Sequence, residues 1–459
     1  MSAATLSEQS NWEEATTCWD VVAEHLDEAA YAAETLLEIQ QHPLLTLSDQ
    51  SVWGESRLGA HIDGLVVGSE TVAEKVLRPE VEQPSPDDPT RLLAVLMALL
   101  QGGRERDALR FVVHPNEQLR AAGAHAFRWS ERGSDLAQQS LSPSLDPNEQ
   151  ASLLAVLTAC AVPVPNLDNY LQSPVPAVAA AAARAALGSD RLPALLSPLE
   201  SLLEHDDSSV VTAALLPTLA CGSPFAQRLL AQLVAQPPLP DAHLWALHAA
   251  LSGKAAHGVT VERAKDRTAA PAHEAALFAL GFTGDLAHAD LLLGMLGVDS
   301  PRTVALATQA LALLFGFDLN DEALFLEPSA APSTESSDQD DDGLPPFEQD
   351  DLDADLKPLP EEALRPPDVE AFAAAIHERR TNLNPNQRHL HGTPFSAGSL
   401  VQALIHGPLR VRHVLADVLT VLSSGTQRVD TYGMAAQQRR QLDALVTPAG
   451  LRLANVPLT

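Results

Sequence analysis

The chain has 459 residues, 46% of them hydrophobic but only 4% aromatic, and a formal net charge of −31. Ala and Leu must therefore build the interior, and such small side chains suit closely approaching helix pairs better than a β-sandwich. The negative balance argues against a phosphate-binding stripe for nucleic acid and against anionic membrane surfaces, and it leaves a basic protein partner open.

The N-terminus, Met1-Ser2-Ala3-Ala4, carries no basic or apolar leader pattern, and the run Leu92 to Leu100 is too short to span a bilayer. Three scattered cysteines, Cys18, Cys160 and Cys221, form no C-x-x-C and suit buried thiols in a reducing compartment, so the expected location is the cytoplasm. Residues 1–80 read as an N-terminal helical region. Within it, 11–42 carry Trp12, Trp19, Val22, Leu26, Ala30, Leu37 and Ile39 at helical spacing, with Pro43 as a stop. A second helix is expected over Arg57 to Gly68, and the proline-rich stretch from Pro79 to Pro89 reads as a loop.

From 89 to 326 one signal recurs. Pro89, Pro115, Pro147, Pro174, Asp207, Pro240, Pro271 and Pro301 each open an apolar helical stretch, at intervals of 26, 32, 27, 33, 33, 31 and 30 residues. Proline costs little at a helix start, because its missing N–H would have had no intrahelical partner. Four residues after each marker from Pro115 onward stands an apolar side chain: Leu119, Ala151, Val178, Val211, Leu244, Ala275, Ala305. Seven after stand Ala122, Leu154, Ala181, Ala214, Leu247 and Phe278, with Thr308 the exception. Offsets of four and seven share one helix face. Each unit adds a second apolar stretch, such as Leu195 to Leu203 or Leu286 to Leu296. The predicted fold is all-α: a HEAT-like α-solenoid of two-helix repeats, with a helical N-terminal cap and a small helical C-terminal block.

Residues 327–366 break the pattern. Between Glu327 and Glu362 stand 13 acids and one base, Lys357, so this segment holds −12 of the net −31. It reads as a flexible acidic tether. A sharper reading makes Asp340, Asp341, Asp342, Asp350, Asp351 and Asp353 protein-binding residues that mimic nucleic-acid charge for a cationic partner. Residues 367–459 return to helical patterning: Asp368 as an N-cap for a helix through Ile376, a loop over Asn382 to Pro394, and helices over Ser399 to His406 and Leu409 to Leu422. This block also holds Arg410, Arg412, Arg428, Arg439 and Arg440, whose plainest role is to pair with the acidic segment.

Catalytic patterns are missing from the sequence: no G-x-G-x-x-G, G-x-x-x-x-G-K-[ST], G-x-S-x-G or H-E-x-x-H. The nearest approach to a metal cluster is Asp285, His288 and Asp290, with His273 upstream, and it reads as turn and cap residues between stacked helices. His389-Leu390-His391 lies in a loop beside Arg388, and Trp129 and Trp245 read as core. No catalytic, cofactor or metal residue is assigned, and no cofactor is expected.

Four stretches resemble a proteobacterial family of HEAT-repeat proteins of unassigned activity associated with type VI secretion loci. They are Arg57-Leu58-Gly59-Ala60-His61-Ile62-Asp63-Gly64-Leu65; Ala279-Leu280-Gly281-Phe282-Thr283-Gly284-Asp285; Phe315-Gly316-Phe317-Asp318-Leu319 with Asp342-Gly343-Leu344-Pro345; and Arg388-His389-Leu390-His391-Gly392 with Gln437-Gln438-Arg439-Arg440. The chain departs from the family in having Pro346-Phe347 where a tryptophan often follows glycine-leucine-proline, and in its longer acidic segment. With no catalytic motif and a charge that disfavours nucleic acid and membrane, the expected function is non-enzymatic protein binding, and the resemblance implies the partner: a secreted effector toxin or its carrier, bound as immunity protein or as adaptor and chaperone. The competing expectation is a lyase-like HEAT-repeat enzyme acting on a tetrapyrrole or other small molecule.

Overall fold

A computed structural model describes residues 17–130, 132–236, 241–326 and 363–446. Helix α1 spans Trp19–Ile39 and buries Leu26, Ala29, Ala33 and Leu36 along one stripe. A short helical stretch Leu47–Asp49 and a π-helical stretch Gln50–Glu55 lead into α2, Ser56–Val67, which packs on α1. The expected loop starts later than Pro79, because helical backbone runs on over Arg78–Glu82. Pro79 stands just after a π-helical stretch, Ala73–Leu77, where the regular α-helical hydrogen-bond pattern is already interrupted.

Helix pairs follow in order. They are α3 Pro89–Gln101 with α4 Glu105–Val112, α5 Glu117–Trp129 with α6 Ser134–Ser140, and α7 Pro147–Ala159 with α8 Leu167–Leu171. Next come α9 Pro176–Ala185 with α10 Leu196–Leu202, and α11 Ser208–Ala220 with α12 Pro224–Ala235. The last are α13 Ala242–Leu251 with α14 Gly258–Lys265, α15 Ala270–Phe282 with α16 Ala289–Met295, and α17 Pro301–Phe315. The punctuation is as much a cap as a proline. Asp88, Asn116, Asp146, Asp207, Asp241 and Ser300 each accept a backbone N–H of the helix they open, which satisfies a donor with no intrahelical acceptor.

The chain divides into two compact units. The described part of the first is drawn from residues 17–40, 47–229 and 419–446, and that of the second from 41–46, 230–418. In the first unit α3, α5, α7, α9 and α11 pack each on the next, and α4, α6, α8 and α10 each pack on the first helix of the following pair. In the second, α13, α15 and α17 stack in the same way, with α14 against α15 and α16 against α17. The molecule is thus all-α, with helices packed sequentially in pairs as in an α-solenoid repeat. The offset positions point inward: Leu119, Val178, Leu154, Ala214, Leu247 and Phe278 are buried, while Ala151 and Val211 are half-buried. Thr308, the polar exception, is 1% exposed and donates its hydroxyl to the Val304 carbonyl at 2.8 Å, so it needs no other partner.

After residue 362, Asp368 caps α18, Val369–Arg380. The expected loop over Asn382 to Pro394 contains a hairpin, β1 His389–Leu390 pairing antiparallel with β2 Thr393–Pro394. His391 and Gly392 both adopt positive φ, 49° and 69°, as a two-residue type I′ turn requires. Histidine in place of the usual Asn or Asp hid that turn from the sequence. Helices α19 Ala397–His406, α20 Leu409–Leu422 and α21 Ala435–Val446 complete the described chain. Among the described residues no helix is long and apolar enough to cross a membrane.

Candidate functional site

The acidic residues Asp340, Asp341, Asp342, Asp350, Asp351 and Asp353, and the Asp342-Gly343-Leu344-Pro345 motif, lie outside the described residues. Of the other stretches, residues 279–285, 315–319 and 388–392 meet in space. In the second unit the hairpin 388–394 seats on the C-terminal ends of α13, α15 and α17. Such ends present carbonyls without intrahelical partners and a negative dipole. Arg388 Nε donates to the Thr283 carbonyl at 2.7 Å, and its Nη2 to those of Phe282 at 2.9 Å and Ala249 at 3.4 Å. Burial lowers this guanidinium to about 10, which still leaves it charged at neutral pH. The backbone continues the seam: His389 N–H donates to Gly284 O at 2.9 Å, His391 N–H to Leu313 O at 2.6 Å, and Gly392 N–H to Leu314 O at 3.1 Å. Gly284 and Gly316 have φ of +66° and +72°, and a Cβ on either would collide with the His389 or His391 carbonyl.

Beside this seam lie His257, Asp285 and His288, with ligand atoms all within 4.8 Å of one another. His257 and His288 are each the residue that precedes a second helix, α14 and α16, 31 positions apart. Lys254 and Asp285 are likewise 31 apart and form an ion pair at 3.5 Å. Asp285 also caps the following turn through Ala287 N–H, as the sequence suggested. Asp290 instead pairs with Arg380 at 2.8 Å, and His273 does not join the group. His257 was missed by motif reading, and subtracting one repeat length from His288 would have found it. Burial pushes His257 down to about 4, helped by the nearby Arg388 charge, and burial lowers His288 too.

A cavity of about 370 Å³ in the same unit is lined by Leu44, Gln309, Gly316, Phe317, His391 and His406, among others. Gln309 is 4% exposed, and its Oε1 and the Nε2 of His391 have no hydrogen-bond partner among the described residues.

The first unit has its own seam between the π-helical stretch Gln50–Glu55, the end of α5 and the C-terminal residues 431–438. Glu55, buried just before α2, accepts from Gln50 Nε2 at 2.7 Å and from Ala435 N–H at 2.5 Å. Desolvation still raises its pKa. Gln438 donates to the carbonyls of Gly433 at 2.7 Å and Thr431 at 3.2 Å, and the Trp129 indole donates to Tyr432 O at 3.0 Å. Trp129 and Trp245 are core, at 5% and 1% exposed. In the second unit Arg412 is fully buried and donates Nε to Leu404 O of α19, within the C-terminal block, whereas Arg410 lies over the Phe278 ring of α15.

On the outside of the first unit, Tyr31 of α1 is 58% exposed and Trp53 is 68% exposed. Arg57 of α2 packs its guanidinium over the Tyr31 ring, 5.3 Å from the centroid, and pairs with Glu28. Trp53 stands four residues before Arg57, beside the exposed Val52. Exposed Trp, Tyr and Arg grouped on rigid helices are the side chains that dominate protein–protein binding energy.

No protein-family model matches the chain, and no curated protein matches it. Among solved structures it is similar to an engineered protein of known crystal structure, at 13% identity and a TM-score of 0.31, over 92% of this chain and 98% of that one. A likeness this loose transfers neither site nor activity.

Proposed function

We propose that the chain is a non-enzymatic helical-repeat protein that binds another protein through the Tyr31, Trp53 and Arg57 surface. The carrying observation is the exposure of that Trp and Tyr, Tyr31 on a helix whose other face is core and Trp53 on the π-helical stretch that buries Gln50 and Glu55. Preordered side chains lose little entropy on docking. The motif resemblance supplies the kind of partner: a secreted effector toxin or its carrier, with the chain acting as immunity protein or as adaptor. The acidic residues 340–353 would add encounter rate with a cationic partner rather than much affinity.

Affinity capture with the proteins encoded beside this one is the test, with Trp53→Ala as the control variant. Binding that survives Trp53→Ala unweakened rejects the surface, and no captured secreted protein rejects the partner class. An immunity protein would rescue cells from the toxin, whereas an adaptor would be needed for export without changing toxicity in the producer. The second reading, a lyase-like protein acting on a small molecule, has the cavity beside Gln309 and His391 in its favour. Turnover or co-purification of a tetrapyrrole, lost in Gln309→Leu, would support it over the first.

A further inference from the structure

We infer that His257, Asp285 and His288 form a binding site for one divalent transition-metal ion of the zinc class. Three observations carry this. First, the donor set is two imidazoles and a carboxylate with their ligand atoms within 4.8 Å, the composition that leaves a fourth position for water on zinc. Second, the ring nitrogens are already sorted. His257 Nε2 faces the Ser252 carbonyl at 3.3 Å, which fixes a proton there and turns the lone pair of Nδ1 free, the second-shell bond that metal-ligating histidines make. That Nδ1 and the Nε2 of His288 are buried and have no hydrogen-bond partner among the described residues, and His257 as a whole is only 2% exposed. Other histidines, His125, His248 and His273 among them, also have a buried ring nitrogen without a partner among the described residues; here two such nitrogens belong to residues grouped with a carboxylate. Third, the fold itself makes the juxtaposition. Equivalent positions of consecutive repeats stack, so the rings approach to 5.9 Å between centroids without either helix being distorted.

Two cations oppose an ion here. Arg388 is held by three backbone carbonyls and stays where it is. Lys254 is different: its side chain is 40% exposed, and its ammonium leans on the Asp285 oxygen that the metal would take. Metal binding would part Lys254 from Asp285 and leave its ammonium on the Pro385 carbonyl, 3.3 Å away, while Asp285 keeps its other oxygen on Ala287 N–H. Bound there, the ion would tie the turn before α14 to the turn before α16, beside the hairpin seam.

The experiment uses the untagged full chain, stripped with chelator and titrated with zinc by calorimetry, with thermal unfolding followed in parallel. One ion per chain and a rise in Tm are expected. His257→Gln, His288→Gln and Asp285→Asn should each weaken binding at least ~10-fold, and Asp285→Asn keeps an oxygen to accept the Ala287 N–H, with thermal unfolding of each metal-free variant as the control on its fold. Lys254→Met should tighten binding, an effect that a merely adventitious histidine site elsewhere on the surface would not show. Cobalt(II) added to the wild type should give the visible bands of a four-coordinate nitrogen and oxygen site. Zinc affinity unchanged in Asp285→Asn and Lys254→Met, or cobalt spectra of the plain hexaaqua ion, overturns the proposal.

Discussion

The two compact units close their helix pairs with different chemistry. In the first, the buried backbone carbonyls are met by neutral donors, the Trp129 indole on Tyr432 O and the Gln50 and Gln438 amides on Gly433 O, with the half-buried ion pair of Arg128 and Asp430 at 3.1 Å beside them. In the second, a buried guanidinium spans the carbonyl ends of α13 and α15, and three backbone N–H groups of the hairpin finish the row. The difference teaches where each unit is vulnerable. Losing a neutral donor strands one acceptor, whereas losing Arg388 strands several at once in a region closed to water.

The largest effect should come from Arg388→Leu, expected to cost about 3 kcal/mol or more in urea unfolding, against about 1 kcal/mol for Trp129→Phe. Equal costs would erase the distinction between the seams. Next, Gly316→Ala should cost about 1–3 kcal/mol, because alanine must hold a left-handed φ against the His391 carbonyl. Gly103, also at positive φ but with open space around it in the first unit, should tolerate alanine better. The third test is pH. His257 and His391 in the second unit and His125 in the first are each pushed down to about 4 by burial. The unfolded chain, with histidine near ~6.5, then binds more protons, so stability is lost as pH falls from about 6.5 toward 4. His391→Gln should flatten that slope in denaturant titrations at pH 5, and an unchanged slope would remove this residue from the account.

A smaller, opposite effect is expected at His243 in the second unit. Burial lowers its pKa, but the 2.8 Å hydrogen bond and charge of Asp417 outweigh burial and raise it overall. Its contribution is present below ~6.5 and fades as pH rises through the raised value. The pair is about one-third exposed and screened, so Asp417→Asn should change stability by under ~1 kcal/mol. Thr308→Val should be the quietest change, within ~1 kcal/mol, since its hydroxyl only bonds one turn back along α17.

Much of this was legible beforehand. The period and the caps gave the helix pairs, and the range Leu409–Leu422 for α20 was read directly from Gly407-Pro408 and the apolar run after it. The site was legible only in parts. Asp285 was recognised as a cap and His288 as its neighbour, but His257 belongs to another repeat and no local motif contains it. The exposed Trp53 was invisible too, because a π-helical stretch shifts the residues on each face by one position and defeats a 3.6-residue pattern.

Local chemistry settles what each stretch of backbone becomes, since caps, prolines and the spacing of apolar side chains act within a turn or two. Which distant residues then share a face is fixed by the stacking of those helices. Contacts such as Arg388 with Ala249, 139 positions away, exist only once helix ends with open carbonyls have been lined up for a cation to span.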